Sequence, residues 1–208
     1  MISAKRKEKI EDILSRKQPT LKVMLDNVSN SQNLSAIIRS CDGVGVLDIY
    51  YSTREDLDLK VHKTITQGTH RWMNKERIDS EKKIDFLKTK QKEGFQVVAT
   101  HLSEKSISFS KIDYTKPTVL VMGNEKDGIS QEVINIADHL VIIPMRGMAQ
   151  SLNVSVATAL ILYEAERQLE LKGAYETPQL SAEQRERVMK EWIYRDTIRN
   201  RSKGRIFY

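Results

Sequence analysis

The five residues T-V-L-V-M, Thr118–Met122, carry apolar or β-branched side chains in succession instead of at every second position. A strand of that kind shows no clean solvent face and must be covered on both sides, which is the habit of parallel sheets in α/β proteins. Shorter or less pure versions recur in L-K-V-M-L-D (Leu21–Asp26), L-D-I-Y-Y (Leu47–Tyr51), F-Q-V-V-A (Phe95–Ala99) and H-L-V-I-I (His139–Ile143). Between them lie segments with helical spacing. Ala4–Lys17 has Ile10, Ile13 and Leu14 on one side and stops at Gln18-Pro19. A second, with Leu34, Ile37, Ile38 and Cys41, ends at Gly43. Others are expected over Leu59–Gln67, over Ser80–Lys92, briefly from Gln131, and over a long stretch from Leu152. Strand and helix in alternation predict an α/β fold with a mostly parallel sheet flanked by helices.

At 208 residues and 39% apolar content, the chain can bury a core for one domain with appended elements. Its single cysteine, Cys41, cannot form an intramolecular disulfide. With neither a signal peptide nor an apolar run of membrane-spanning length, a soluble cytoplasmic protein is expected, with no membrane partner. The net charge of +6 is unevenly placed. Residues 1–22 hold seven Lys/Arg against three Asp/Glu, and residues 172–208 hold nine against five, so each end carries +4 and the middle −2. Two basic ends on a near-neutral centre suit a polyanion, because cations set against phosphates release counterions. For either end alone, a solvated helix face explains the charge as well.

Ligands of parallel sheets bind beyond the carboxyl ends of the strands. Three post-strand loops stand out: N-S-Q-N-L-S-A-I-I-R (Asn30–Arg39), M-G-N-E-K-D-G-I (Met122–Ile129) and I-P-M-R-G-M-A-Q-S-L-N (Ile143–Asn153). None is a dinucleotide fingerprint, since the lone G-V-G of Gly43–Gly45 ends a helix, and none is a phosphate loop. The four histidines, His62, His70, His101 and His139, lack metal-ligand spacing and form no Ser/His/Asp pattern, so no metal is expected.

In order and together, these loops resemble the three motifs of the SpoU/TrmH family of SPOUT RNA methyltransferases. Motif one matches N-L-S-A-I-I-R-S-C-D-G-V-G-V, motif two V-L-V-M-G-N-E-K-D-G-I, and motif three V-I-I-P-M-R-G-M-A-Q-S-L-N-V-S-V-A-T-A-L-I-L-Y-E. R-K-Q-P-T-L-K-V, A-T-H-L-S and I-D-Y-T-K-P extend the likeness toward the members that methylate a tRNA guanosine. The resemblance implies a deep C-terminal trefoil knot, S-adenosylmethionine as methyl donor, a homodimer, and 2'-O-methylation of guanosine-18 in the tRNA D-loop. Ribosomal RNA or a tRNA wobble nucleotide are alternative substrates, and an RNA-binding protein without catalysis is the reading from another class. No DNA partner is implied.

Residue by residue, the resemblance assigns Asn33, Arg39, Glu125, Ser151 and Asn153 to the catalytic centre and Thr100, Gly123, Ile143, Met145 and Leu152 to the cofactor pocket. Taken on their own, these residues have plainer readings. Asn33 suits the cap of a helix starting at Leu34. Arg39 lies about 140° around that helix from Leu34, off its apolar stripe. Glu125 suits an ordinary charged turn, and Ser151 or its neighbours suit the start of the long helix. That helix is apolar on two sides, with Leu152, Val156, Ala159, Leu160 and Tyr163 on one and Val154, Ile161 and Ala165 on the other. It is therefore buried within one subunit or shared with a partner. The family layout also divides the chain into a basic N-terminal helix (1–20), a methyltransferase domain (21–172) and a basic helical tail (173–208). Expected tRNA contacts are Arg6, Lys7, Arg16 and Lys17 at one end and Arg195, Arg199 and Arg201 at the other.

Overall fold

The computed structural model of the chain describes residues 2–53, 59–124 and 126–202, the side chains of 199–202 excepted. Helix α1 (Ala4–Ser15) precedes β1 (Leu21–Leu25), α2 (Ser31–Gly43) and β2 (Asp48–Tyr51). Then come α3 (Lys63–Thr66), β3 (Asn74–Arg77), α4 (Lys83–Lys92), β4 (Gln96–Thr100) and β5 (Ile107–Ser108). The chain continues through β6 (Thr118–Met122), α5 (Gln131–Ile136), β7 (His139–Ile142), α6 (Val154–Leu171) and α7 (Ala182–Ser202).

The seven strands pair in parallel in the order β3-β2-β1-β6-β4-β7-β5. β1 and β6 are central, and every residue of both is buried. Their alternate side chains feed two cores. Val23, Leu25, Leu120 and Met122 meet Leu34, Ile37 and Ile38 of α2 and Ile161, Leu162 and Ala165 of α6. On the other face, Met24, Val119 and Val121 meet Leu87 of α4 and Val133 of α5. Continuous apolarity in Thr118–Met122 thus has the cause expected of it, because helices cover both faces.

Several elements differ from the sequence reading. Helix α2 begins at Ser31, because Asn30 caps it: the Asn30 side chain accepts from the N–H groups of Gln32 and Asn33. Asn33 therefore lies inside the first turn and is not the cap. The helix expected over Leu59–Gln67 is only Lys63–Thr66, stopped where Gln67 (φ 50°) and Gly68 (φ 87°) turn left-handed. Strands β3 and β5 were not expected. N-K-E-R of β3 is charged because it forms an edge of the sheet, where charge deters pairing with another chain. Part of the segment leading to α3, residues 54–58, lies outside the described residues.

Helices α1 and α7 pair with each other. Ile10 and Leu14 of α1 enclose, with Leu47 and Leu180, the side chains of Val188 and Trp192 of α7, and Trp192 is 0% exposed. Trp72 meets Trp192 edge-on at 5.4 Å between ring centroids. Truncating a buried tryptophan of this kind costs about 3–5 kcal/mol. The tail read as a basic appendage is therefore also part of the packed structure.

Candidate active site

The carboxyl ends of β4, β6 and β7 open on a cavity of about 590 Å³, a size ordinary for small-molecule sites. Thr100, His101 and Leu102 follow β4 on its wall. Gly123, Asn124 and Gly128 come from the loop after β6, and Ile143 from the end of β7. The stretch Gln150–Val154, which enters α6, closes it. No Lys, Arg, Asp or Glu side chain lies on this wall among the described residues.

The loop after β6 is tightly folded. Asn124 and Gly128 exchange two backbone hydrogen bonds at 3.1 Å, and the Asn124 side-chain oxygen accepts from the N–H groups of Lys126 (2.8 Å) and Asp127 (2.7 Å). Position 123 must be glycine, since a Cβ there would stand 2.3 Å from the Gly128 carbonyl carbon, and Gly128 itself has φ 67°. Glu125, which follows Asn124 in the sequence, lies outside the described residues.

Asn153 joins two motifs. Its side-chain oxygen caps α6, accepting from the Ser155 N–H at 2.9 Å and the Ser155 hydroxyl at 2.6 Å, while its amide nitrogen donates to the Asn33 side chain at 3.2 Å. The helix thus starts at Val154, and Ser151 sits exposed on the cavity wall ahead of it. Asn33 is buried. Arg39, six residues further along α2, is exposed, and its guanidinium donates to the Ile65 carbonyl at 3.4 Å.

Of the residues expected at the cofactor pocket, Thr100, Gly123, Ile143 and Leu152 line the cavity. Met145 is half-buried and does not line it. Asn153 and Ser151 are on the wall, Asn33 is one hydrogen bond behind it, and Arg39 stands apart from it on the surface. His101, Asn124, Gln150 and Ala157 line the cavity without having been assigned to it. Asn124 and Gln150 fall inside the motif loops, so their position after a strand was the available signal. His101 and Ala157 had none of comparable strength.

The basic ends are only partly free to meet an RNA. Lys7 and Arg16 are exposed and pair with Glu11 and Asp12 of α1. Arg6 reaches Asp196 of α7 at 3.2 Å and stacks 5.0 Å from the Trp72 ring centroid. Lys17 was expected at the RNA surface; instead its side chain is 1% exposed and its ammonium binds Asp42 at 2.9 Å. Its apolar stem is packed inside, and it holds α1 to the end of α2. Arg195 likewise has structural partners, the carbonyls of Arg71 (3.2 Å) and Met73 (3.1 Å). Desolvation of the Lys75 ammonium and, second, the Arg195 guanidinium beside it hold Lys75 down to about 8. The side chains of Arg199 and Arg201 lie outside the described residues.

With this geometry in place, the comparisons with known proteins define a class. The model of the SpoU rRNA Methylase family matches residues 20–163, and the chain belongs to this family. It is 48% identical over 205 residues to the tRNA (guanosine(18)-2'-O)-methyltransferase of Aquifex aeolicus (strain VF5), covering 98% of this chain and 95% of that protein. The crystal structure of the A. aeolicus TrmH/SpoU tRNA modifying enzyme superposes with a TM-score of 0.88 at 50% identity, covering 92% of this chain and 96% of that one. An AdoMet-bound rRNA methyltransferase from Sinorhizobium meliloti is similar at a TM-score of 0.64 and 37% identity, over 77% of this chain and 60% of that one.

Proposed function

We propose that this chain transfers a methyl group from S-adenosylmethionine to the ribose 2'-oxygen of guanosine-18 in tRNA. The observation that carries the reading is the cavity at the ends of β4, β6 and β7, joined through the Asn153–Asn33 hydrogen bond to the helix that bears Arg39. The activity for which the A. aeolicus relative is named supports the position on the tRNA, since the match to it is nearly full-length.

The cavity suits the donor. Leu102, Ile143, Leu152 and Ala157 offer apolar surface for an adenine ring, and Thr100, Asn124 and Gln150 add polar groups. Among the described residues the wall carries no Lys or Arg, which suits a sulfonium that a nearby cation would repel. Bound there, S-adenosylmethionine supplies an electrophilic methyl group. Because it brings its own leaving group, the reading includes no metal. Among the described residues no group of three or more His, Cys, Asp or Glu is placed to hold one.

The protein must then make a neutral hydroxyl reactive and stabilise the developing oxyanion. Arg39 fixes an RNA phosphate and stabilises that charge. A guanidinium with a pKa above about 12 is a poor proton acceptor, so Arg39 is not assigned as the base. Asn33 and Asn153 orient the centre, Ser151 presents its hydroxyl at the wall, and Glu125 belongs to the same centre by the family motif.

Helix α6 carries the dimer in this reading. Ile161, Leu162 and Ala165 face the core, while Val156 (48%), Leu160 (45%) and Tyr163 (54%) remain exposed on another side, where a second copy covers them. Exposed Lys7 and Arg16 near one end meet the tRNA backbone, and Arg199 and Arg201 of the tail are assigned the same role from the sequence. Residues 21–172, the knot included, form the catalytic domain between these ends. No helix among the described residues is long and apolar enough to cross a membrane, and the cytoplasm is the proposed location.

The test is label transfer from methyl-tritiated S-adenosylmethionine to an unmodified tRNA transcript, in chelator, followed by nuclease mapping. Label belongs at nucleotide 18 and disappears when that residue is a 2'-deoxyguanosine. Label at a wobble nucleotide, or only in ribosomal RNA, overturns the position. No transfer to any RNA overturns the activity.

A further inference from the structure

Asp26, immediately after β1, is 0% exposed, and no step described above uses its carboxylate. Its backbone N–H donates to the carbonyl of Met122 at 2.8 Å, where β6 ends and the loop of Gly123 begins. Its side chain holds the other end of that loop: Oδ2 accepts from the Ser130 N–H at 2.8 Å and from the Ser130 hydroxyl at 2.6 Å. Oδ1 accepts from the buried ammonium of Lys83, at the start of α4, at 2.8 Å, and the same ammonium donates to Ser130 Oγ at 2.9 Å. One residue thus fixes both the entry and the exit of the seven-residue loop 123–129, and three of that loop's residues line the cavity.

A buried ion pair returns in attraction about what it loses in desolvation, and an apolar pair of like volume often holds a fold as well. Stability therefore does not account for Asp26 and Lys83. What the charged set has and an apolar pair lacks is direction, since each bond sets where Ser130 stands relative to β1. We propose that Asp26, Lys83 and Ser130 are positioning residues that hold the loop 123–129 in the register required for binding S-adenosylmethionine, an inference that rests on the cofactor reading of the cavity.

Two variants test it. Ser130→Ala removes the hydroxyl bonds and keeps the ion pair. Asp26→Asn combined with Lys83→Met removes both charges, so that neither is left buried alone. For each, the exchange rates of the backbone amides of 123–130, measured without ligand, report the loop. Calorimetry with S-adenosylmethionine then reports the site. Both variants should melt close to the parent, exchange the loop amides about tenfold faster, and bind S-adenosylmethionine roughly ten- to a hundredfold more weakly. A lowered melting temperature with loop exchange and affinity unchanged in the folded protein makes the set merely structural and overturns the proposal. Should the double variant fail to fold, Ser130→Ala decides by the same two readouts. A parent protein that does not bind S-adenosylmethionine overturns the cofactor reading instead, and the amide exchange still reports whether the loop is held by these residues.

Discussion

The side-chain amide of Asn153 donates to the side-chain oxygen of Asn33 at 3.2 Å, joining residues 120 positions apart. Asn153 also caps α6, so the two roles can be separated by mutation. Asn153→Ala should lose about 1 kcal/mol from the cap together with methyl transfer. Asn33→Ala keeps the cap and should lose activity comparably. In a double-mutant cycle on kcat/KM the two losses should overlap instead of adding. Full additivity would show that the hydrogen bond does not couple them.

Arg39 is exposed and stands off the packed side of α2, so the fold does not depend on it. Arg39→Ala should leave the melting temperature and S-adenosylmethionine affinity near those of the parent while abolishing methyl transfer. Arg39→Lys should restore little, since an ammonium cannot reproduce the planar fork. Most of the activity surviving in Arg39→Ala would remove the residue from the mechanism.

Helix α6 leaves Val156, Leu160 and Tyr163 in water in the single chain. Leu160→Arg places a charge in the middle of that stripe. Sedimentation should show the parent as a dimer and the variant as a monomer at micromolar concentration. A variant of unchanged mass would place the dimer contact elsewhere.

Because Arg6 pairs with Asp196 and Arg195 binds two carbonyls, a deletion meant to probe RNA binding should begin after them. Removing 199–208 takes away Arg199, Arg201, Lys203 and Arg205. For every tRNA phosphate that these cations neutralise in the parent, the truncation should lower the salt slope of binding by about one unit, with S-adenosylmethionine affinity unchanged. An unaltered slope would show that these cations do not touch the RNA.

Lys75 titrates near 8 in the folded chain, held there by desolvation of its ammonium and by Arg195. Its unfolded value is about 10.4, so between those two the unfolded state binds more protons and stability rises with pH. The penalty is fully present below about pH 8 and relieved as pH climbs toward 10.4. Comparing denaturant midpoints of the parent and Lys75→Gln across this range, the difference should move in favour of the parent as pH increases. A flat difference would mean that Lys75 is not perturbed.

Strand order apart, most of the architecture was legible in the apolar runs, because burial on both faces leaves its mark along β6 and on all of β1 except Lys22. Strands β3 and β5 were not. Edge strands carry charge or are too short to show a pattern, and N-K-E-R reads as a surface loop until its neighbour β2 is known. The cavity was legible through two of the three motif loops, those after β6 and β7, while the loop Asn30–Arg39 reaches it only through the Asn33–Asn153 hydrogen bond; the roles given to single residues there came from a family likeness and not from periodicity. Lys17 and Arg195 show what charge counting misses. A cation reads as surface in a sequence, and only packing reveals that Asp42 or a backbone carbonyl has claimed it.

The pairing of α1 with α7 has a consequence for how the protein is made. Ile10 and Leu14 emerge early from the ribosome, but Trp192, which covers them, is added some 180 residues later. At about 5–20 residues per second, that is a wait on the order of ten to forty seconds. Throughout it α1 lacks the cover that α7 provides while the sheet lying between them in the chain assembles, so this helix completes its packing only after the sheet is made.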